Sequence, residues 1–133
     1  MKNLISHLPF FSLSIVTIAL ILYLTLAPEP IGADRMPAIP GLDKLVHALM
    51  FGWLTLMLCI DYSRKWHDFS AVPLKIILIF GLFSTLFGGA IELFQQMMEF
   101  GRTADWADFM ADAAGCIVFG ALANSTLKII RRW

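Results

Sequence analysis

Charged residues are scarce in this chain. Lys, Arg, Asp and Glu make up 15% of its 133 residues, while hydrophobic residues make up 59%. An ordinary soluble domain is about 25% charged. A water-soluble protein of this size has a large surface for its volume, and so few charges cannot cover that surface. The composition therefore favours a single domain, residues 1–133, that lies in a lipid bilayer.

The chain also lacks an excess of either sign of charge, because ten basic residues balance ten acidic ones. Nucleic-acid binding usually requires a basic surface that neutralises phosphates, so we expect no nucleic-acid partner. Cysteine is rare as well. Cys59 and Cys116 lie in apolar runs without the spacing of metal ligands, and we interpret them as small core or lipid-facing residues rather than as a disulfide.

Long apolar segments are the dominant feature of the sequence. A helix needs about 20 apolar residues to cross roughly 30 Å of hydrocarbon. Four segments come close to this length, and they run from about Leu8 to Ala27, Asp43 to Ile60, Leu74 to Met98, and Asp105 to Lys128. Four prolines in residues 28–40 exclude a helix between the first two segments. We predict an all-α integral membrane bundle of four transmembrane helices.

The basic residues predict the orientation of this bundle. Seven lie on one side of the predicted membrane: Lys2, Arg64, Lys65, Lys75, Lys128, Arg131 and Arg132. Three lie on the other side: Arg35, Lys44 and Arg102. Cytoplasmic loops carry an excess of Lys and Arg, so we predict that both termini are cytoplasmic in a multi-pass protein of the bacterial inner membrane.

Polar residues recur at offsets of three and four in the last three predicted spans, which places each set on one helix face. The sets are Asp43 and His47; Glu92, Gln95, Gln96 and Glu99; and Asp105, Asp108 and Asp112. Each set belongs to the end of its span that we expect to face outside. A carboxylate facing lipid near the bilayer centre costs about 2.5–3.5 kcal/mol. We therefore expect the three faces to surround one cavity that opens outward.

The charges of this predicted cavity do not balance. Five carboxylates belong to it, namely Asp43, Glu92, Asp105, Asp108 and Asp112, whereas Lys44 and Arg102 are its only permanent cations. Helix N-termini partly neutralise Asp43 and Asp105. The remaining excess indicates a protonated carboxylate, a bound cation or a cationic ligand group.

Simpler interpretations of the same residues stay open. Asp43 and Asp105 could cap helices, and Gln95 and Gln96 could bridge helices as amides do in membranes. His47 could be an ordinary buried histidine. A structural salt-bridge network could account for the rest of the set: Glu92, Arg102, Asp108 and Asp112.

The polar residues also resemble the pattern of a known family. Residues 43–47, Asp-Lys-Leu-Val-His, are similar to the D-K-x-x-H signature of the VanZ-like family. The remaining pieces of the resemblance are Glu92-x-x-Gln95, Gly101-Arg102, and Asp108-x-x-x-Asp112-x-x-Gly115 followed by Gly120. Many members have Asn in place of Asp112, so this chain adds a carboxylate to an acidic site. The namesake of the family is associated with resistance to the glycopeptide teicoplanin, and the resemblance implies a function in the cell envelope.

These observations lead to one functional prediction and its alternative. We expect the cavity to bind or act on an envelope lipid or a lipid-linked cell-wall precursor, and the resemblance implies a link to teicoplanin resistance. The alternative is a non-catalytic binding or structural subunit of a membrane complex, so the sequence leaves open whether the protein is an enzyme. The expected partners are membrane lipid and a lipid-linked precursor or a glycopeptide.

Residue roles follow from the chemistry of each side chain. We predict acid, base or metal-ligand roles for the candidate catalytic residues, which are His47, Glu92 and Asp108. We predict substrate binding by Lys44, Gln95, Gln96 and Arg102, since Arg102 could clamp a phosphate or carboxylate. Further metal ligands are predicted at Asp43, Asp105 and Asp112. An oxygen-rich site of this kind suits Mg²⁺, Ca²⁺ or Mn²⁺.

Overall fold

The structure is a computed structural model that describes residues 5–27, 39–98 and 105–133. Four helices make up most of these residues. We number them α1 (Ser12–Leu26), α2 (Leu42–Trp66), α3 (Leu74–Met97) and α4 (Trp106–Arg132). These described residues contain no strand. The predicted all-α class is therefore confirmed.

Local chemistry sets the helix starts. Pro73 lies immediately before α3, where its missing N–H and fixed φ angle suit a helix start. The Asp105 side chain caps α4 by accepting a hydrogen bond of 2.8 Å from the Ala107 amide. Gly41, with φ of 81°, precedes α2, so Asp43 lies within the first turn and is not the capping residue. Of the two caps considered from the sequence, only Asp105 is in the capping position.

Three of the described helices, α2, α3 and α4, are long and apolar enough to cross a membrane. Helix α1 is apolar but has 15 residues, which corresponds to about 22 Å. It begins at Ser12 rather than Leu8, because Phe11 has a left-handed φ of 55°. Helix α2 continues to Trp66, one and a half turns beyond the predicted end at Ile60. Length and composition thus identify a membrane protein with three candidate spans and one shorter apolar helix.

Close backbone contact between α2 and α4 determines how the bundle packs. A Cβ atom added to Gly115 of α4 would collide with the carbonyl oxygen of Ala48 of α2. A Cβ added to Gly52 would lie 2.7 Å from the Gly115 carbonyl oxygen. Only glycine allows so close an approach. Because Ala48 follows His47 and Gly115 lies one turn after Asp112, this contact brings His47 and Asp112 together.

Buried apolar side chains fill the interior between the two ends of the bundle. The most deeply buried ones include Phe51, Leu54, Cys59, Val72, Ala123 and Leu127. Both cysteines are free and buried. Their burial supports the core position rather than the lipid-facing one.

A buried ion pair lies at the other end of α2, which we call the Arg64 end. An Arg64 guanidinium nitrogen lies 2.7 Å from Asp61 Oδ1, and the two side chains are 5% and 0% exposed. Ser14 donates to Asp61 Oδ2 from its backbone N–H and from its hydroxyl, both at 2.8 Å. Arg64 also donates to three backbone carbonyls within residues 5–9. The pair therefore joins the start of α1 to the end of α2.

Candidate functional site

Polar side chains of three helices converge at one end of the bundle, which we call the His47 end. His47 lies five residues after the start of α2, Glu92 five residues before the end of α3, and Asp112 six residues after the start of α4. At 1.5 Å per residue, all three lie about 7–9 Å from the ends of their helices. Similar depth on packed helices allows their side chains to meet.

His47 is the centre of this convergence. Its Nδ1 atom lies 3.1 Å from Asp112 Oδ1, and its Nε2 atom lies 3.6 Å from Glu92 Oε1. An ionised carboxylate can only accept a hydrogen bond, so we assign a proton to Nδ1 at the shorter contact. A neutral imidazole then presents the lone pair of Nε2 toward Glu92. The side chains of His47, Glu92 and Asp112 are 14%, 8% and 0% exposed, so this arrangement is shielded from the surroundings.

Asp112 depends on a glycine of α3 for its space. A Cβ atom on Gly88 would overlap with Asp112 Oδ2, so any other residue at position 88 would displace the carboxylate. Oδ2 is buried and has no hydrogen-bond partner among residues 5–27, 39–98 and 105–133. One oxygen of this buried carboxylate can therefore still accept a hydrogen bond from a ligand.

Lys44 forms a second, more exposed part of the same end. Its Nζ atom lies 3.2 Å from Asp43, 3.2 Å from Asp105 and 3.3 Å from Asp108. An ammonium group has three donors, and these three carboxylates can occupy all of them. The Ala107 amide and the Lys44 ammonium together hold the pKa of the Asp105 carboxyl below its usual value. Lys44 therefore connects α2 to the first turn of α4.

Three side chains are arranged so that they could hold a metal ion. His47, Glu92 and Asp108 each offer one ligand atom, and these atoms all lie within 4.8 Å of one another. The sequence placed further metal ligands at Asp43, Asp105 and Asp112. In the structure Asp43 and Asp105 contact Lys44, while Asp112 contacts His47.

The remaining predicted site residues are not all brought into this cluster. Gln95 is buried, and its side-chain nitrogen donates to the Thr25 carbonyl at 2.6 Å, which joins α3 to the end of α1. This contact is the bridging role considered from the sequence. Gln96 is exposed on α3. Arg102 and Glu99 lie outside the described residues, so the predicted clamp belongs to a part of the chain without a structural description.

Comparison with known proteins identifies the family. Neither the curated proteins nor the solved structures give a match. The family model VanZ/LLP1 matches residues 5–128, nearly the whole chain, and the match includes every residue of the His47 end. Together with the three long apolar helices, it confirms the resemblance seen in the sequence. This membrane protein belongs to the VanZ-like family.

Proposed function

We propose that the His47 end binds the polar headgroup of an envelope lipid or of a lipid-linked cell-wall precursor. The observation that carries the proposal is the buried chain Asp112–His47–Glu92, in which one imidazole lies between carboxylates of two other helices. Titratable groups that are shielded and in close contact are candidates for a functional site. These three side chains lie close to the helix ends, at the depth where we expect a headgroup to meet the hydrocarbon.

The bonding pattern favours binding over simple helix association. A buried acceptor without a partner costs roughly 1–3 kcal/mol, and a ligand that donates a hydrogen bond to it would recover that cost. Here Asp112 Oδ2 has no partner among the described residues. The Nε2-to-Glu92 separation of 3.6 Å is also longer than an ordinary hydrogen bond of about 2.7–3.2 Å. Both features leave bonding capacity for a ligand.

The proposed orientation follows the distribution of basic residues. The Arg64 end carries Arg64, Lys65, Lys75, Lys128 and both arginines at 131 and 132, and the positive-inside tendency assigns that end to the cytoplasm. The His47 end then faces outward from the bacterial cytoplasmic membrane. With α1 as a fourth, short span, both termini are cytoplasmic.

The side chains support acid–base chemistry on a bound headgroup. His47 is the candidate base through Nε2, and Glu92 and Asp108 are candidate acids, bases or ligands. Arg102 is the proposed clamp for a phosphate or carboxylate, because its planar guanidinium can bind either one bidentately. Lys44 contacts three carboxylates. To bind substrate as proposed, it would exchange one of these contacts for a contact with the substrate.

Binding and turnover of a lipid-linked precursor test this proposal. Purified protein in detergent is offered radiolabelled lipid-linked precursor, and retained lipid and chemical conversion are measured separately. We expect wild type to retain the lipid and His47→Ala to lose most of that retention. His7→Ala, which changes an exposed histidine at the Arg64 end, is the matched control. Equal retention by all three proteins would contradict the proposal.

A structural role is the second candidate, and two contacts favour it. Lys44 connects α2 to α4, and the hydrogen bond from Gln95 to Thr25 connects α3 to α1. In that case the polar residues hold a subunit of a membrane complex together. Family membership also supports a cellular test, in which susceptibility to teicoplanin is compared between host cells that express wild type and His47→Ala. The binding proposal expects a difference at equal protein levels, whereas the structural candidate expects lower protein levels.

A further inference from the structure

We propose that His47, Glu92 and Asp108 bind one divalent transition-metal ion, and that Asp112 orients the imidazole for it. This inference rests on the proposed function, since it assigns a ligand to the same site. It concerns the metal alone and is therefore testable without any lipid.

The distances between the ligand atoms fit a small ion after slight contraction. Metal–nitrogen and metal–oxygen bonds are about 2.0–2.2 Å, so two ligand atoms on one octahedral ion lie about 3 Å apart when adjacent and about 4.2 Å apart when opposite. The Nε2 atom of His47 and Oε1 of Glu92 are 3.6 Å apart. One ligand atom from each of the three residues lies within 4.8 Å of the others. Movements of each ligand atom by up to about one ångström, within the reach of side-chain rotation, would bring all three into bonding distance.

The contact between Asp112 and His47 has the form that metal-binding histidines adopt. Such histidines usually donate the other ring N–H to a carboxylate, which fixes the tautomer and raises the basicity of the ligating nitrogen. Asp112 Oδ1 lies 3.1 Å from Nδ1, and in a neutral imidazole protonated at Nδ1 the lone pair of Nε2 points toward Glu92. A cation between Nε2 and Glu92, whether a proton or a metal ion, removes the repulsion between that lone pair and the carboxylate.

The buried charge is a second, independent observation. Asp112 is fully buried, and its Oδ2 atom has no partner in the described ranges 5–27, 39–98 and 105–133. Lys44 compensates Asp108 only in part, because Asp43 and Asp105 share the same ammonium group. When His47 is neutral, Glu92 and Asp112 are therefore short of positive charge, and a carboxylate buried without compensation is strongly unfavourable. A divalent ion at His47, Glu92 and Asp108 supplies the missing charge.

The donor set narrows the kind of metal. One imidazole nitrogen with two carboxylates suits Mn²⁺, Fe²⁺ or Zn²⁺, whereas Mg²⁺ and Ca²⁺ prefer sites built from oxygen alone. Among the ions expected from the sequence, this set favours Mn²⁺. It disfavours Mg²⁺ and Ca²⁺.

Titration with Mn²⁺ tests the inference. The full-length protein is purified in detergent, treated with a chelator, and titrated with Mn²⁺ while the electron paramagnetic resonance signal of free Mn²⁺ is followed. We expect one Mn²⁺ per chain in wild type, with weaker binding by at least about tenfold in Glu92→Gln, Asp108→Asn and Asp112→Asn. Asp68→Asn removes an exposed carboxylate at the Arg64 end and is expected to bind as wild type does.

Each result of this titration decides the inference. Loss of binding in the three site variants but not in Asp68→Asn supports it, provided that circular dichroism finds the variants folded. Thermal unfolding of wild type supplies a measurement that needs no variant, because a bound ion raises the unfolding temperature. Absence of saturable binding to wild type, an unchanged unfolding temperature, or equal weakening in Asp68→Asn would overturn it. Since no lipid is present, failure here leaves the headgroup proposal to its own test.

Discussion

Asp112 Oδ1 lies 3.1 Å from His47 Nδ1, although the two residues are 65 positions apart in the chain. The contact joins α2 to α4 through two side chains that are largely buried. Two close approaches make it possible, one between Gly115 and Ala48 and the other between Gly88 and Asp112. The geometry of the site therefore depends on small residues that carry no chemistry of their own.

Substitution of Gly88 tests this dependence. A Cβ at position 88 would occupy the space of the Asp112 carboxylate, so we expect Gly88→Ala to lower the free energy of unfolding by roughly 1–3 kcal/mol, as overpacking does. The control is Gly81→Ala on the same helix, where the added Cβ would meet only Cys116 at 3.9 Å. Unfolding in detergent by titration with sodium dodecyl sulfate measures both. Equal stability of the two variants would contradict the close approach.

The buried pair at the Arg64 end makes a separate prediction. Removal of Arg64 leaves the fully buried Asp61 without its cation, so Arg64→Met should lose roughly 3–5 kcal/mol of stability. Lys65→Met removes an exposed neighbour of the same charge and should change stability little. The same detergent unfolding assay compares them. A similar effect of both substitutions would mean that net charge, rather than the buried pair, stabilises this end.

Cysteine labelling tests the orientation. Both native cysteines are buried, so a new exposed cysteine should dominate the reaction with a membrane-impermeant maleimide. Ile39 precedes α2 at the His47 end, and Ala71 lies between α2 and α3 at the Arg64 end, and both are exposed. We expect Ile39→Cys to react in intact cells and Ala71→Cys only after permeabilisation. The opposite pattern would place the polar cluster on the cytoplasmic side.

Much of the helical framework could be predicted from the sequence, because prolines and apolar length act locally. Pro73 predicts the start of α3, and the Asp105 cap predicts the start of α4. The ends of α1 and α2 could not be placed in the same way. The left-handed Phe11 shortens α1, and the tertiary pair of Asp61 with Arg64 lies in the part of α2 beyond its predicted end.

The proximity of His47, Glu92 and Asp108 could also be predicted, since side-chain spacing and helix depth are properties of the sequence. Their individual partners could not, because these depend on how each helix is rotated in the bundle. That rotation follows from the contact between Gly115 and Ala48, which no local pattern specifies. The spacing of Asp61 and Arg64 on one helix is compatible with an ion pair, but its burial depends on the contact with Ser14 of α1, which the sequence does not specify.

The most direct test of the central claim compares ligand binding with stability in one variant. His47→Gln keeps a polar side chain but removes the imidazole that lies between Asp112 and Glu92. Retention of the lipid-linked precursor and unfolding by sodium dodecyl sulfate are measured on the same purified sample. A binding site predicts at least about a tenfold loss of retention, equivalent to about 1.4 kcal/mol, with a smaller change in the free energy of unfolding. Unchanged retention, or a loss of retention that only follows loss of folding, would contradict the account.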